Sequence, residues 1–205
     1  MISNKKIQLL GVWEENPFGE FSVSEIMKKS GKNTKTWVFN ALKEMAGRGI
    51  LKLRRKGGGN IYLFNISNPI SLGFIRYLSI QKNLDFPRFD VIEKLISDIP
   101  FKNFCLIVFG SYAEGKQRKN SDVDICFLVQ DKKTAGKIVP YVNDVKMDFS
   151  VGIDEHYITF DEFKKLLLRK EENLGKQIFR KHAVFFNSDI YYKLITEARE
   201  NGFRP

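Results

Sequence analysis

The stretch Val108–Ile125, VFGSYAEGKQRKNSDVDI, restricts what this chain can fold into more than any other part of it. The apolar run FCLIVF (Phe104 to Phe109) ends at the pair Gly110-Ser111; ten residues later Asp122 and Asp124 flank the start of a second run, VDICFLV (Val123 to Val129). Both runs read as buried strands. Alternate residues of a strand face one side, so Asp122 and Asp124 point together. Two carboxylates placed that way repel each other, and a divalent cation relieves the repulsion. Hard carboxylate oxygens suit Mg²⁺, which keeps some waters and takes the rest of its shell from substrate phosphates. A glycine at the end of a strand lets backbone amides approach a phosphate closely. An ordinary strand-to-helix turn followed by a solvated SDVD turn is the alternative reading of the same residues.

Joined in this order, the two strands, the Gly-Ser pair, the ten-residue spacing and Asp-x-Asp resemble the nucleotidyltransferase superfamily that includes DNA polymerase beta, and within it the minimal nucleotidyltransferases. Gly110, Ser111, Asp122 and Asp124 match that signature position by position, and the resemblance covers residues 85–205. It implies a domain with a small mixed sheet and flanking helices, an NTP substrate with ATP foremost, and Mg²⁺. By the same resemblance Asp122 and Asp124 hold the metal, and Gly110-Ser111 holds the β- and γ-phosphates. An acceptor hydroxyl attacks the α-phosphorus and pyrophosphate leaves. Lys116, Arg118 and Lys119, in the loop before Asp122, are candidate counter-charges for the phosphates.

The superfamily places a third carboxylate on a neighbouring strand, and VKMDFSVGIDEHYITF offers two. Asp148 sits between Met147 and Phe149 in an apolar-acid-apolar pattern, whereas Asp154 precedes His156 by two residues. Read as one strand, six residues separate them by roughly 20 Å, so only one joins the cluster. The local flanks favour Asp148 as the third metal ligand. The run IDEHYIT resembles the strand before an acidic helix start in archaeal-type members, which favours Asp154. His156 and His182 have no ligand-spaced partners, and neither is assigned to catalysis.

Charge divides the chain unevenly. The 205 residues carry a formal +10. Residues 1–66 hold 12 Lys/Arg against 5 Asp/Glu, a balance of +7, and residues 67–205 hold 22 against 19, leaving +3. The basic excess of the first third points to a polyanion. Cys105 and Cys126 fall inside the two predicted strands without metal-ligand spacing and read as buried reduced thiols. No apolar run approaches a membrane span and Met1 to Leu10 is too polar for a signal peptide, so a cytoplasmic protein is expected.

Residues 1–66 have their own pattern. KKIQLLGVWEE (5–15) places Ile7, Leu10 and Trp13 on one helical face. SVSE (22–25) has the capping-box form before a short helix to about Lys29. Asn33 or Thr34 caps a third helix, to Ala46, with Val38, Ala41, Leu42 and Met45 on its apolar face. ILKLRRKGGGNIYLFNI then alternates on both sides of a glycine-rich tip, a hairpin. Three helices and a basic hairpin resemble the winged helix-turn-helix. That resemblance places Lys32, Lys35, Thr36, Asn40 and Lys43 toward a DNA major groove, with Arg54, Arg55 and Lys56 on phosphate or the minor groove.

Residues 67–84 read as a connecting helix, and DVIEKLISDI (90–99) as a helix packing on the second domain's sheet. Past the third-carboxylate region, Thr159 caps a helix over DEFKKLLLRK. ENLGKQIFRK is another helix, HAVFFN a short apolar run, and SDIYYKLITEARENG a terminal amphipathic helix. The fold class expected is α/β (α+β), with a winged helix-turn-helix at 1–66 and a nucleotidyltransferase domain at 85–205. Three functions fit. One is NMP transfer to a hydroxyl of a small molecule or protein, as in minimal nucleotidyltransferases that act as antitoxins on a small helical toxin. Another is a DNA-binding transcriptional regulator using the second domain as a nucleotide sensor or homodimer platform. The third, nucleic-acid extension, is disfavoured because no thumb-like or templating segment follows the catalytic core.

Overall fold

The computed structural model describes residues 2–149 and 152–205. They fall into two compact units, residues 2–79 and 80–204. The division lies within a 15-residue helix, the segment read from sequence as a connector.

The first unit opens with a short α1 (Asn4–Ile7) that tightens into 3₁₀ turns over Gln8–Trp13. One continuous helical face had been expected over 5–15; Gly11 weakens the α-helix there, and the 3₁₀ turns bury Leu9 together with Leu10 and Trp13. The indole Nε1 of Trp13 donates to the Gly19 carbonyl at 2.8 Å. After β1 (Glu20–Ser22), α2 (Val23–Ser30) starts on a complete capping box between Ser22 and Glu25 and ends at Gly31, whose φ of 65° suits glycine. α3 (Lys35–Gly47) buries Val38, Ala41, Leu42 and Met45, the predicted face. Thr34 holds its N-cap position without a side-chain cap bond.

The hairpin pairs β2 (Leu51–Lys56) with β3 (Gly59–Phe64) in antiparallel register from Leu51↔Phe64 to Lys56↔Gly59. Its two turn residues, Gly57 and Gly58, have φ of 55° and 77°, and two successive positive φ values match the twist of a tight hairpin. β1 adds to the other edge of β3, a strand the sequence reading left out. Helix α4 (Pro69–Asn83) follows; the Asn68 side chain accepts from the Ile70 amide at 2.9 Å, and buried Ser71 donates to the Ile50 carbonyl at 3.1 Å.

The second unit is a four-stranded mixed sheet in the order β6-β5-β4-β7. β4 (Phe104–Phe109) pairs antiparallel with β5 (Val123–Val129) and with β7 (His182–Phe186), whereas β5 runs parallel to β6 (Ile153–Thr159). A parallel neighbour needs a long crossover. Here it is the 17-residue helix α7 (Lys132–Asp148), started by Asp131, whose side chain accepts from the Thr134 amide. Ile138, Val142 and Val145 of α7 and Val91, Ile92 and Leu95 of α5 (Phe89–Asp98) share one core with Val123, Ile125, Phe127 and Val129 of the sheet. The other sheet face carries Asp124, Cys126 and Leu128 by strand alternation.

The remaining helices are α6 (Gly110–Ala113), α8 (Phe160–Leu168), α9 (Leu174–Arg180) and α10 (Ser188–Glu200). Thr159 caps α8 as expected, and Glu162 completes a capping box with it. Cys105 and Cys126 are buried free thiols, and burial pushes both upward in pKa. Tyr191 and Tyr192 are buried packing residues. Among the described residues, no helix is long and apolar enough to cross a membrane.

Candidate active site

One end of the sheet gathers the chemistry. There β4 ends and β5, β6 and β7 begin, so the turn after β4 lies beside the first residues of its neighbours. Gly110 takes φ of 63° directly after Phe109, and the chain turns into α6. Asp124 lies on β5 and pairs in register with Asp154 on β6; Asp122 sits one residue before β5. Parallel strands in register put Asp124 and Asp154 on the same face.

That arrangement has an electrostatic signature. The Asp124 carboxyl is held above the ordinary aspartate range, first by burial and then by the charge of Asp154, with Asp122 adding to it. His156 and a hydrogen bond from the Ser111 backbone amide act in the opposite direction. A half-buried acid crowded by like charge favours a cation beside it.

The third-carboxylate expectation needs correction. Residues 145–160 are not one strand: Asp148 is the last residue of α7, an exposed helix end, and only Asp154 lies on β6. The apolar-acid-apolar pattern around Asp148 misled because Val145 faces the core with helical spacing, whereas Met147 is 78% exposed. The charge of Asp148 acts instead on Lys94 of α5, on the other side of the sheet.

Residues that the sequence reading passed over complete the site. A cleft of about 290 Å³ is lined by Phe109, Gly110, Glu114, Asp124, Gln177, Arg180 and Lys181. The last three come from α9 and the residue after it, brought in because β7 pairs His182 with Phe109. Arg180 forms an ion pair with Glu172. The Glu114 carboxyl is held below the usual range, first by the Lys116 hydrogen bond at 2.7 Å, with Lys181 contributing. Lys116 and Arg118 are both exposed. His156 also belongs here: its Nε2 lies 3.5 Å from Asp154 Oδ2, and its ring stands 5.5 Å from that of Phe109. The signal for His156 was its two-residue offset from Asp154, which places both on one strand face. His182 is structural, its Nδ1 lying 3.2 Å from the Phe179 carbonyl and 3.4 Å from the Tyr191 hydroxyl.

Among the described residues, no three His, Cys, Asp or Glu side chains form a complete metal cage. The donor set still suits Mg²⁺, which is held in nucleotide sites by one or two carboxylates with substrate phosphates supplying further oxygens. Two glycines also leave the Asp122 and Asp124 carboxylates space that a side chain would fill.

Residues 93–190 match the family model described as "Polymerase beta, Nucleotidyltransferase". No curated protein matches the chain. Among solved structures, a chain of the "Crystal structure of the toxin-antitoxin with AMP-PNP" is 21% identical, over 55% of this chain and 87% of that one, with a TM-score of 0.35. Over residues 93–190, which carry Gly110, Ser111, Asp122, Asp124 and Asp154, the chain matches a nucleotidyltransferase domain of the polymerase beta kind, and the match supports a nucleotidyltransferase.

Proposed function

We propose that the protein moves an NMP, AMP by the family resemblance, from an NTP to an acceptor hydroxyl with Mg²⁺, and that residues 1–66 are a winged helix-turn-helix that binds duplex DNA. The observation that carries the first half is the in-register pair Asp124 and Asp154 beside the Gly110 turn, with the elevated Asp124 pKa that their crowding produces. Asp122, Asp124 and Asp154 would hold the metal. When bound there, Mg²⁺ supplies charge neutralisation at the triphosphate and lowers the pKa of the acceptor hydroxyl.

The chain's own groups do the positioning. The Gly110 turn and the Ser111 hydroxyl serve the terminal phosphates, while the Ser111 amide holds Asp124. Arg180 and Lys181, lining the cleft with Asp124, offer positive charge to the leaving pyrophosphate, a role that Lys116 and Arg118 fit less well because neither lines that cleft. Asp154 lies 3.5 Å from His156 Nε2, and its charge acts on Asp124.

The DNA-binding half rests on charge and exposure. Lys35, Thr36, Asn40 and Lys43 are exposed along α3, and every residue of β2 after Leu51 is exposed. Arg54 is tied to Glu20 by an ion pair, which leaves Arg55 and Lys56 as the better phosphate contacts of the hairpin. Lys32 is half-buried just past α2.

The deciding experiment incubates the protein with each α-labelled NTP, Mg²⁺ and a cell lysate, and asks whether label enters protein, nucleic acid or small molecules. The expected result is transfer from one preferred NTP, abolished by Asp122→Asn/Asp124→Asn. Label remaining in NTP under every condition would overturn the transferase reading and leave the nucleotide-sensing regulator.

A further inference from the structure

Each of the two Asp-x-Asp carboxylates is pressed against a glycine. A Cβ built on Gly110 would stand 2.8 Å from Asp124 Cγ, and one built on Gly152 would stand 2.6 Å from Asp122 Cγ. Cβ atoms do not approach other heavy atoms closer than about 3.0 Å, so neither site admits a side chain while the carboxylate keeps its place. Gly110 is part of the Gly-Ser pair already assigned to the phosphates. Gly152 belongs to no motif.

What Gly152 requires is room. Its φ lies outside the left-handed region, so an alanine would adopt the same backbone without strain. The backbone is also fixed: the Gly152 carbonyl accepts from the Val123 amide at 2.9 Å, next to the first β5/β6 pair, Val123↔Ile153. Asp122 is exposed and short, and its carboxylate is the group free to move. An added methyl would therefore displace the Asp122 carboxylate and leave the sheet intact.

We infer that Gly152 is a positioning residue: by having no side chain, it seats the Asp122 carboxylate where a divalent cation and the NTP phosphates need it. This rests on Asp122 being a ligand, as proposed above.

The test titrates Mn²⁺ with ATP into the full chain and follows bound Mn²⁺ by electron paramagnetic resonance, with the Tm of each variant measured alongside. Gly152→Ala should weaken Mn²⁺·ATP binding by about 10–100-fold, the range found when a group that orients a metal ligand is changed, with Tm unchanged. Gly136→Ala, at a position in α7 where an added Cβ meets nothing within 4 Å, should bind as wild type. In an Asp122→Asn background, Gly152→Ala should have no further effect, because the carboxylate it positions is gone. Wild-type binding by Gly152→Ala while Asp122→Asn loses it would overturn the inference alone, as would a large fall in Tm accompanying the loss. Wild-type binding by Asp122→Asn would overturn the ligand role of Asp122, and the inference with it.

Discussion

Asp124 concentrates the tension between stability and function in this protein. Burial and the neighbouring Asp154 raise its pKa, so in the folded state it holds its proton more tightly than in the unfolded chain. A carboxyl with a raised folded-state pKa favours the fold below the ordinary aspartate range, and that contribution is lost as pH rises through the raised value. At neutral pH the ionised group is a cost. Asp124→Asn should therefore raise Tm at pH 7 without metal, while abolishing nucleotide transfer, and its advantage over wild type should close as pH falls below the ordinary aspartate range. Equal Tm values across that range would remove the electrostatic account. Asp154 and Asp148 separate just as sharply: Asp154→Asn should cut kcat by two orders of magnitude or more (about 2.7 kcal/mol at 1.36 per tenfold). Asp148→Asn, at the exposed end of α7, should leave turnover within about twofold. The reverse ranking in steady-state kinetics would restore Asp148 to the site.

At the scale of elements, what could be read from sequence was what local physics fixes. The capping box at Ser22-Glu25, the Thr159 cap, the glycine tip of the hairpin and the two apolar strands around Asp-x-Asp each carry their signal within a few residues, and each appears in the structure. Asp148 failed for the opposite reason, because a two-residue alternation at the end of α7 imitates a strand when the preceding helix is not recognised. Pro140 inside α7 further disguises it. Arg180 and Lys181 were illegible for a third reason: the β4/β7 pairing brings them to Asp124 from more than fifty positions away in sequence, and no local pattern reports a strand pairing. The caps also give a calibration of element stability. Thr159→Ala removes the hydroxyl that accepts from the Glu162 amide at 3.2 Å and should cost about 1 kcal/mol in urea unfolding, with the m-value unchanged. A loss below a few tenths of a kcal/mol would mean that packing of Phe163 and Leu167 alone sets the start of α8.

The whole molecule separates its charge from its chemistry. The carboxylate cluster lies in the unit formed by residues 80–204, whereas residues 1–66 carry +7 of the formal +10. A cationic surface recognises a polyanion largely by releasing counterions, a process that does not involve Asp122, Asp124 or Asp154. DNA binding by the full chain should accordingly survive Asp122→Asn unchanged, and its affinity should fall steeply with salt. Each phosphate contact removed lowers the slope of log K against log salt by about 0.9. Arg55→Ala/Lys56→Ala should therefore lower it by about two, whereas Arg54→Ala should change it less, since Arg54 is already paired with Glu20. A fragment used to isolate this activity should extend past residue 66 to include α4: Ser71 and Asn68 hydrogen-bond the Ile50 and Gly49 carbonyls, and Ile75 is buried. Gel-shift titrations from low to physiological salt measure all of these slopes. Full-length protein that fails to shift duplex DNA at low salt would turn the basic hairpin and the exposed face of α3 into a docking surface for an acidic partner instead.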